Sequence, residues 1–221
     1  MTIREHLKTA RLRLEAAGVP DAAVDAAWLL GHVLHLKALE VQVRGDKSLD
    51  AQQQAAFEAL VLRRAAREPL QYILGETDFM GLRFLVRSPV LIPRNDTELL
   101  CSKALERLRP GDRVLDLCTG SGAIAISLAI LAPGITVDAS DISPDALQLA
   151  GKNAAMHGAN VNFREGDLFD PWQGQRYDMI CCNPPYIPSG ELAGLQAEVR
   201  REPMLALDGG DDGLDFYRRL I

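Results

Sequence analysis

Arg113-Val114-Leu115-Asp116-Leu117-Cys118-Thr119-Gly120-Ser121-Gly122-Ala123-Ile124-Ala125-Ile126-Ser127-Leu128-Ala129 is the stretch that decides the fold. Arg113–Leu117 is a short aliphatic and β-branched run introduced by the turn pair Pro110-Gly111, and it reads as a buried strand. Cys118–Gly122 follows as a glycine-rich turn, where Gly120 and Gly122 let the backbone bend tightly and approach a ligand closely. Ala123–Ala129 is small and apolar, suited to a helix lying on a sheet. Strand, glycine turn and helix in that order open a doubly wound nucleotide-binding unit. The turn lacks the full G-x-G-x-x-G spacing of dinucleotide sites, and Cys118 stands where a first glycine is expected. Alone it is weak evidence, because many such turns only join a strand to a helix.

The next segments repeat the pattern. Thr136–Ser140 reads as a second strand ending in Asp141, and Ser143-Pro144-Asp145 as the next helix start, with Ser143 as N-cap and Pro144 at the first helical position. With Ser143 doing the capping, Asp141 is free to accept both hydroxyls of a ribose, about 20 residues beyond the glycine turn. A helix over Pro144–His157, a turn at Gly158 and a third strand over Val161–Asp167 follow. Asp167 at that strand end can accept from an adenine amine while Leu168 packs beside the base. The fourth strand, Tyr177–Cys182, leads into Asn183-Pro184-Pro185-Tyr186. The unusual polar residues thus gather at the carboxyl ends of successive strands, where open α/β sheets bind ligands.

Asn183-Pro184-Pro185-Tyr186 has a chemistry of its own. The prolines fix the backbone and remove donors, leaving the Asn183 side-chain oxygen and the Pro184 carbonyl as paired acceptors. Tyr186 adds an aromatic face. Such a set can grip a planar –NH2 by both hydrogens, and orientation with electrostatics is what a poorly nucleophilic planar nitrogen needs. The bland alternative is a proline-rich surface loop.

Upstream, Arg67-Glu68-Pro69-Leu70-Gln71-Tyr72-Ile73-Leu74-Gly75, Phe79-Met80-Gly81-Leu82 and Val90-Leu91-Ile92-Pro93-Arg94-Asn95-Asp96-Thr97-Glu98 add three further signatures. With these segments the chain resembles the class I S-adenosylmethionine-dependent methyltransferases that act on planar nitrogens. More closely, and over essentially its whole length, it resembles the release-factor glutamine N5-methyltransferases, the PrmC/HemK family. The resemblance implies an α/β, doubly wound Rossmann-like methyltransferase sheet preceded by a small helical bundle. Its boundaries would be 1–75 for a helical substrate-recognition domain, 76–94 for a β-hairpin linker and 95–221 for the S-adenosylmethionine-binding domain. It implies S-adenosylmethionine as cofactor, S-adenosylhomocysteine as product, no metal, and the glutamine of the Gly-Gly-Gln motif of class I peptide chain release factors as substrate. Cys118, Thr119, Gly120, Ser121 and Gly122 would cradle the methionine moiety, Asp141 the ribose, and Asp167 with Leu168 the adenine. Asn183, bordering the cofactor as well, and the Pro184 carbonyl would hold the substrate amide, with Pro185 and Tyr186 lining the pocket. Two departures stand out: Asn95 where the family commonly has a second proline, and Cys118 in place of a common glycine.

Composition narrows the choice. The 221 residues are 48% hydrophobic and 24% charged, ordinary for a globular protein. No apolar stretch approaches the roughly 20 residues of a spanning helix, so no membrane partner is expected. Cys101, Cys118, Cys181 and Cys182 show no paired metal spacing; Cys181 and Cys182 should point to opposite strand faces, and a reduced cytoplasmic compartment is the natural reading. The net charge of −6 is uneven: residues 1–90 carry 12 basic and 11 acidic side chains, residues 91–221 carry 12 and 19. An acidic catalytic half disfavours contact with a phosphate backbone, so no direct nucleic-acid partner is expected. This weakens the rival reading, an RNA or DNA exocyclic-amino methyltransferase, which must capture an unstacked base. Ribosomal protein L3 glutamine methylation is nearer chemically, but the Arg67–Gly75 segment favours release factors.

In the first third, Thr2–Glu5 fits a capping box, Pro20-Asp21 opens a second helix, and Ser48 or Asp50 caps a long helix to about Arg67. His32 and His35 read as packing or solvated residues. Arg63, Arg64 and Arg67 read as a solvated face, with partner contact as the alternative. Phe79–Val86 suggests a hairpin, Asp96 or Thr97 a cap for a helix to about Leu108, Glu191–Arg200 a helix, and Asp211–Ile221 the start of another. A methyltransferase of this class is expected to continue with a further strand and a final hairpin. The chain is therefore read as truncated, with its fourth strand at an unpaired edge unless a partner covers it. An inactive binding fragment is the remaining alternative.

Overall fold

Thr2 opens the first helix, α1 (Ile3–Ala16), with a reciprocal capping box: its hydroxyl accepts from the Glu5 N–H, and the Glu5 carboxylate accepts from the Thr2 N–H at 2.8 Å. In the computed structural model, which describes residues 1–221, the chain divides into two compact units, Met1–Leu74 and Gly75–Ile221. The first unit continues with α2 (Ala22–Leu34), α3 (Ala38–Val43), α4 (Ala51–Ala65), which is boxed by Asp50 and Gln53, and α5 (Leu70–Leu74). Leu14, Leu29, Leu30, Val41, Phe57 and Val61 form its core.

Arg64 departs from the solvated face expected of it. It follows Phe57 and Val61 at helical spacing on the buried stripe of α4, and its Nε donates to Asp25 Oδ2 of α2 at 2.7 Å, both side chains being under a tenth exposed. Arg63 pairs with Glu68 at 2.8 Å, and Arg67 donates to the Ala17 carbonyl at 3.4 Å. Two of the three arginines hold this bundle together rather than solvating it.

The second unit begins with β1 (Glu76–Phe79) and β2 (Leu82–Leu85), an antiparallel hairpin. Met80 (φ 52°) and Gly81 (φ 75°) both take positive φ at its turn, which matches the strand twist. Expected as a linker, the hairpin is built into the core of this unit. Phe79 and Phe84 meet edge to face at 6.0 Å and lie in the same apolar cluster as Val114 and Ile126.

Then come α6 (Asn95–Leu105), β3 (Arg113–Leu117), α7 (Ala123–Leu131), β4 (Thr136–Asp141), α8 (Pro144–His157), β5 (Val161–Glu165), β6 (Met179–Cys182) and α9 (Asp215–Leu220). The four later strands form a parallel sheet in the order β5-β4-β3-β6. Alternation along β3 sends Val114 to the face covered by α7 and α8, while Leu115 and Leu117 meet Trp172 and Leu220 on the other. Cys181 and Cys182 divide between the two faces in the same way. From β3 the chain winds one way to β4 and β5, then returns to place β6 on the opposite side, so the switch point lies between the carboxyl ends of β3 and β6. β6 forms one edge of the sheet.

Two helical expectations fail. Glu191–Arg200 is not an α-helix but short 3-10 turns at Ser189–Gly194 and Val199–Arg201. Gly194 breaks the run, and the turns close through short local bonds such as Leu195 N–H to the Leu192 carbonyl and Arg201 N–H to the Glu198 carbonyl. The chain entering them is held elsewhere, with the Ile187 and Ser189 N–H groups donating to the Leu207 and Gly210 carbonyls. α6 begins at Asn95 with Arg94 as N-cap, so neither Asp96 nor Thr97 caps it. No helix is long and apolar enough to cross a membrane.

Candidate functional site

Asp116, in the middle of β3, organises the glycine turn from beneath. Its Oδ2 accepts from the Thr119 hydroxyl at 2.6 Å and from the Ala125 N–H at 3.2 Å. Gly122 is the N-cap of α7 and has no side chain to cap with, so Asp116 satisfies an otherwise orphaned amide of the first turn. Asp116 is fully buried and its Oδ1 has no hydrogen-bond partner. Burial pushes its pKa up to about 7; the bonds from Thr119 and Ala125 pull it back and the Asp141 carboxylate raises it. A folded pKa above the ordinary carboxylate value favours the folded state fully at acid pH, and the advantage is lost as pH rises through the folded value. Stability to urea should therefore fall as pH rises from about 4 to about 7, and Asp116→Asn should flatten that segment of the pH profile.

The turn itself needs unusual backbone. Cys118 (φ 56°), Gly120 (φ 57°) and Gly122 (φ 82°) are all left-handed. A Cβ on Gly122 would meet Ile126 Cδ1 at 2.7 Å and Ala150 Cβ at 3.1 Å, so this glycine lets α7 approach α8. A Cβ on Gly120 would point into open space at the cleft. Cys118 holds a conformation that glycine adopts more readily. Cys118→Gly should change stability by less than about 1 kcal/mol, whereas β-branched Cys118→Val should lose roughly 1–3 kcal/mol, both measured by denaturant titration.

At the tip of β4, Ser143 caps α8 by accepting from the Ala146 N–H, as the sequence suggests. Asp141 is nevertheless not free: Oδ2 accepts from the Gly120 N–H at 2.8 Å and Oδ1 from the Ser143 N–H at 2.9 Å. These bonds lock the carboxylate against the glycine turn, and each oxygen keeps a lone pair for a ligand hydroxyl. Burial raises its pKa against the pull of the backbone donors. Asp167, beyond β5, is also engaged, since its Oδ2 accepts from Arg219 of α9 at 2.6 Å. Leu168 next to it is buried.

Asn183 leaves β6 with its Nδ2 donating to Thr97 Oγ1 of α6 at 3.1 Å. Pro184 and Pro185 are buried behind it. A run from Glu202 to Leu214 buttresses this loop: the Ile187 N–H donates to the Leu207 carbonyl at 3.0 Å, and the Gly209 N–H to the Ile187 carbonyl at 2.9 Å. A Cβ on Gly209 would lie 2.7 Å from Tyr186 Cα, and one on Gly213 (φ 76°) 2.3 Å from the Tyr186 carbonyl oxygen. Backbone therefore meets backbone there, which only glycine allows.

One cleft joins these pieces. Cys118, Thr119, Gly120 and Ser121 line it together with Asp141, Asp167, Leu168, Asn183 and Pro185. Gly122, Pro184 and Tyr186 are not among its walls, and Tyr186 is 53% exposed. Sequence reasoning missed Thr97, Leu205, Phe216 and Arg219, which also line it. It missed Glu202, whose carboxylate accepts from the Ile92 N–H at 3.0 Å and pairs with the Arg94 guanidinium, tying two cleft-forming loops together. It missed Asn153 too, a fully buried side chain of α8 that donates to the Ser121 and Leu85 carbonyls and accepts from the Leu85 N–H. The glycine density of Leu207–Gly213 was the available signal for the buttress; for the others only proximity in space tells.

Burial pushes the Cys101 and Cys181 thiols up to about 12, and a hydrogen bond with Cys118 together with burial drives Cys182 further up. These three thiols stay protonated at neutral pH, unsuited to act as nucleophiles.

Comparison with known proteins places the site in context. Residues 5–75 match the family model described as PrmC N-terminal domain, and residues 95–198 that described as methyltransferase small domain. The chain is 49% identical over its full length to the release factor glutamine methyltransferase of Geobacter sulfurreducens, covering 78% of that protein. It is 46% identical to that of Moorella thermoacetica, again over the full chain and 80% of the relative. Among solved structures, the Thermus thermophilus 16S rRNA N2 G1207 methyltransferase in complex with AdoMet and guanosine aligns over 57% of this chain and 38% of that one, with 20% identity and a TM-score of 0.45. That overlap is too slight to bear on the site.

Proposed function

Since the chain belongs to the release factor glutamine methyltransferases, we propose that its cleft transfers a methyl group from S-adenosylmethionine to the side-chain amide nitrogen of the glutamine in the Gly-Gly-Gln motif of class I peptide chain release factors. One observation carries the assignment of the site: the glycine turn after β3 and Asn183 after β6 open onto a single cleft at the switch point of the sheet. The helical unit Met1–Leu74 is assigned to recognition of the release factor, and the enzyme would work in the cytoplasm, where translation ends.

The residues present fit the cofactor. Gly120 leaves open the space that a side chain would fill, and Asp141 is held rigidly with lone pairs to spare. Cys118–Ser121 would hold the methionine end, Asp141 the ribose, and Asp167 with Leu168 the adenine. When bound, S-adenosylmethionine supplies an electrophilic methyl group on sulfur. On the protein side, the Asn183 oxygen at the cleft wall accepts one hydrogen of the substrate amide. The Pro184 carbonyl, which does not line the cleft as it stands, would take the other once the substrate is seated, so that the two fix the amide plane. Acceptors aimed at that –NH2 also favour the positive charge that develops as amide resonance is lost. Asn183 is no base at neutral pH, so the surplus proton leaves to water after the nitrogen has gained its methyl. Substrate orientation and charge stabilisation are then the protein's whole contribution.

The direct test incubates the protein with methyl-labelled cofactor and a class I release factor, with RNA as a parallel acceptor, and maps the label by mass spectrometry. Label on the Gly-Gly-Gln glutamine is expected. Label on RNA, or cofactor binding with no transfer to the release factor, would overturn the reading.

A further inference from the structure

An asparagine side chain carries an acceptor on one branch and a donor on the other, and the two are nearly the same shape. Only its neighbours decide which branch faces a ligand. A substrate –NH2 needs the acceptor; a reversed amide would oppose donor to donor. Asn183 meets one such neighbour: its Nδ2 donates to Thr97 Oγ1 at 3.1 Å, and Thr97 is only 7% exposed. In this placement Nδ2 faces the hydroxyl and Oδ1 is the branch left for the cleft that both residues line. Because a hydroxyl can donate as well as accept, Thr97 fixes the plane of the amide, and a substrate –NH2 in the cleft selects the sense with Oδ1 toward it.

Thr97 is itself held from behind. It lies in the first turn of α6, where its N–H donates to the Arg94 carbonyl at 3.0 Å. Arg94 pairs with Glu202, whose side chain is 1% exposed and which also takes the Ile92 N–H. The loop that delivers Thr97 is therefore tied to the segment after Val199–Arg201, and the hydroxyl sits on a braced element. Thr97 does not cap its helix, so its oxygen is available to Asn183.

We propose that Thr97 is a positioning residue for methyl transfer, orienting the Asn183 amide with its oxygen toward the substrate nitrogen. This rests on the reading of Asn183 as an acceptor for the substrate amide, and it adds the residue that makes Asn183 competent. Thr97→Val keeps shape and β-branching but removes the oxygen; Thr97→Ser keeps the oxygen.

The experiment measures steady-state transfer to a class I release factor and calorimetric binding of S-adenosylhomocysteine for Thr97→Val, Thr97→Ser and Asn183→Ala. For Thr97→Val, kcat should fall about 10- to 100-fold, while KM for the release factor and cofactor-product affinity change less than about threefold. Thr97→Ser should return kcat to within about threefold of the wild type. Near-normal kcat in Thr97→Val beside an inactive Asn183→Ala would overturn the role of Thr97 and leave that of Asn183 standing. A parallel loss of cofactor-product binding in Thr97→Val, or no recovery in Thr97→Ser, would make the contact merely structural and overturn it too. Near-normal turnover in Asn183→Ala would remove the reading beneath the proposal.

Discussion

Asn183→Ala should lower kcat for glutamine methylation by about 10²–10³-fold, the effect of removing one preorganised group aimed at developing charge. Affinity for S-adenosylhomocysteine should change little, because the cofactor-holding groups proposed at the tips of β3, β4 and β5 are untouched. The substitution removes an acceptor that orients the amide and stabilises its charge, and Pro184 can still offer its carbonyl from the backbone. Residual turnover above background is therefore expected. The side chain is short, it lines the cleft, and Pro184 and Pro185 fix the backbone after it. Single-turnover measurements with saturating release factor separate the chemical step from binding. A near-normal single-turnover rate would count against the amide-acceptor role.

The second large effect is expected far from the reacting atoms. Glu202→Ala deletes a buried carboxylate that serves two partners 108 and 110 residues away in sequence, Arg94 and the Ile92 N–H. Removing one member of a buried pair costs about 3–5 kcal/mol. Arg94 is 36% exposed and can recover some hydration, which reduces the expected loss to roughly 2–3 kcal/mol. Thermal unfolding of the second unit should move down by several degrees. Activity should fall as well, since the loop that Glu202 anchors delivers Thr97 to Asn183. Glu202→Gln retains an acceptor for Ile92 and should recover part of the stability. An unchanged melting point for Glu202→Ala would show that the pair contributes nothing to the fold.

Local patterns were readable because they depend on neighbours in the chain. β3 follows from its short aliphatic and β-branched run, β4 from the run into Asp141, and α8 from Ser143-Pro144 as a helix start, ending at His157 as the Gly158 turn suggests. The glycine turn was readable as a turn, since few residues other than glycine tolerate positive φ; Cys118 stands in it at some strain. Arg64 was misread because a charge is exposed by default, and only its spacing after Phe57 and Val61 marks it as buried. The 3-10 turns after Pro188 were misread as helix because the chain entering them is held from elsewhere, the Ile187 and Ser189 N–H groups donating to the Leu207 and Gly210 carbonyls, a pairing no local pattern announces.

The amino-acid order by itself determined the strand, turn and helix succession, and with it the sheet edge along which ligand-binding groups fall. That succession rests on short-range terms: side-chain periodicity, glycine's freedom at positive φ, and capping within one helical turn. Only the tertiary structure decided how those groups are aimed. Asp141 is locked by the Gly120 N–H, Asp167 is held by Arg219, the Asn183 amide is turned by Thr97, and Glu202 braces the loop behind it. Each of these bonds joins residues 21 to 110 positions apart. Hydrogen-bond direction across such separations is set by packing, and packing exists only once the chain has closed on itself.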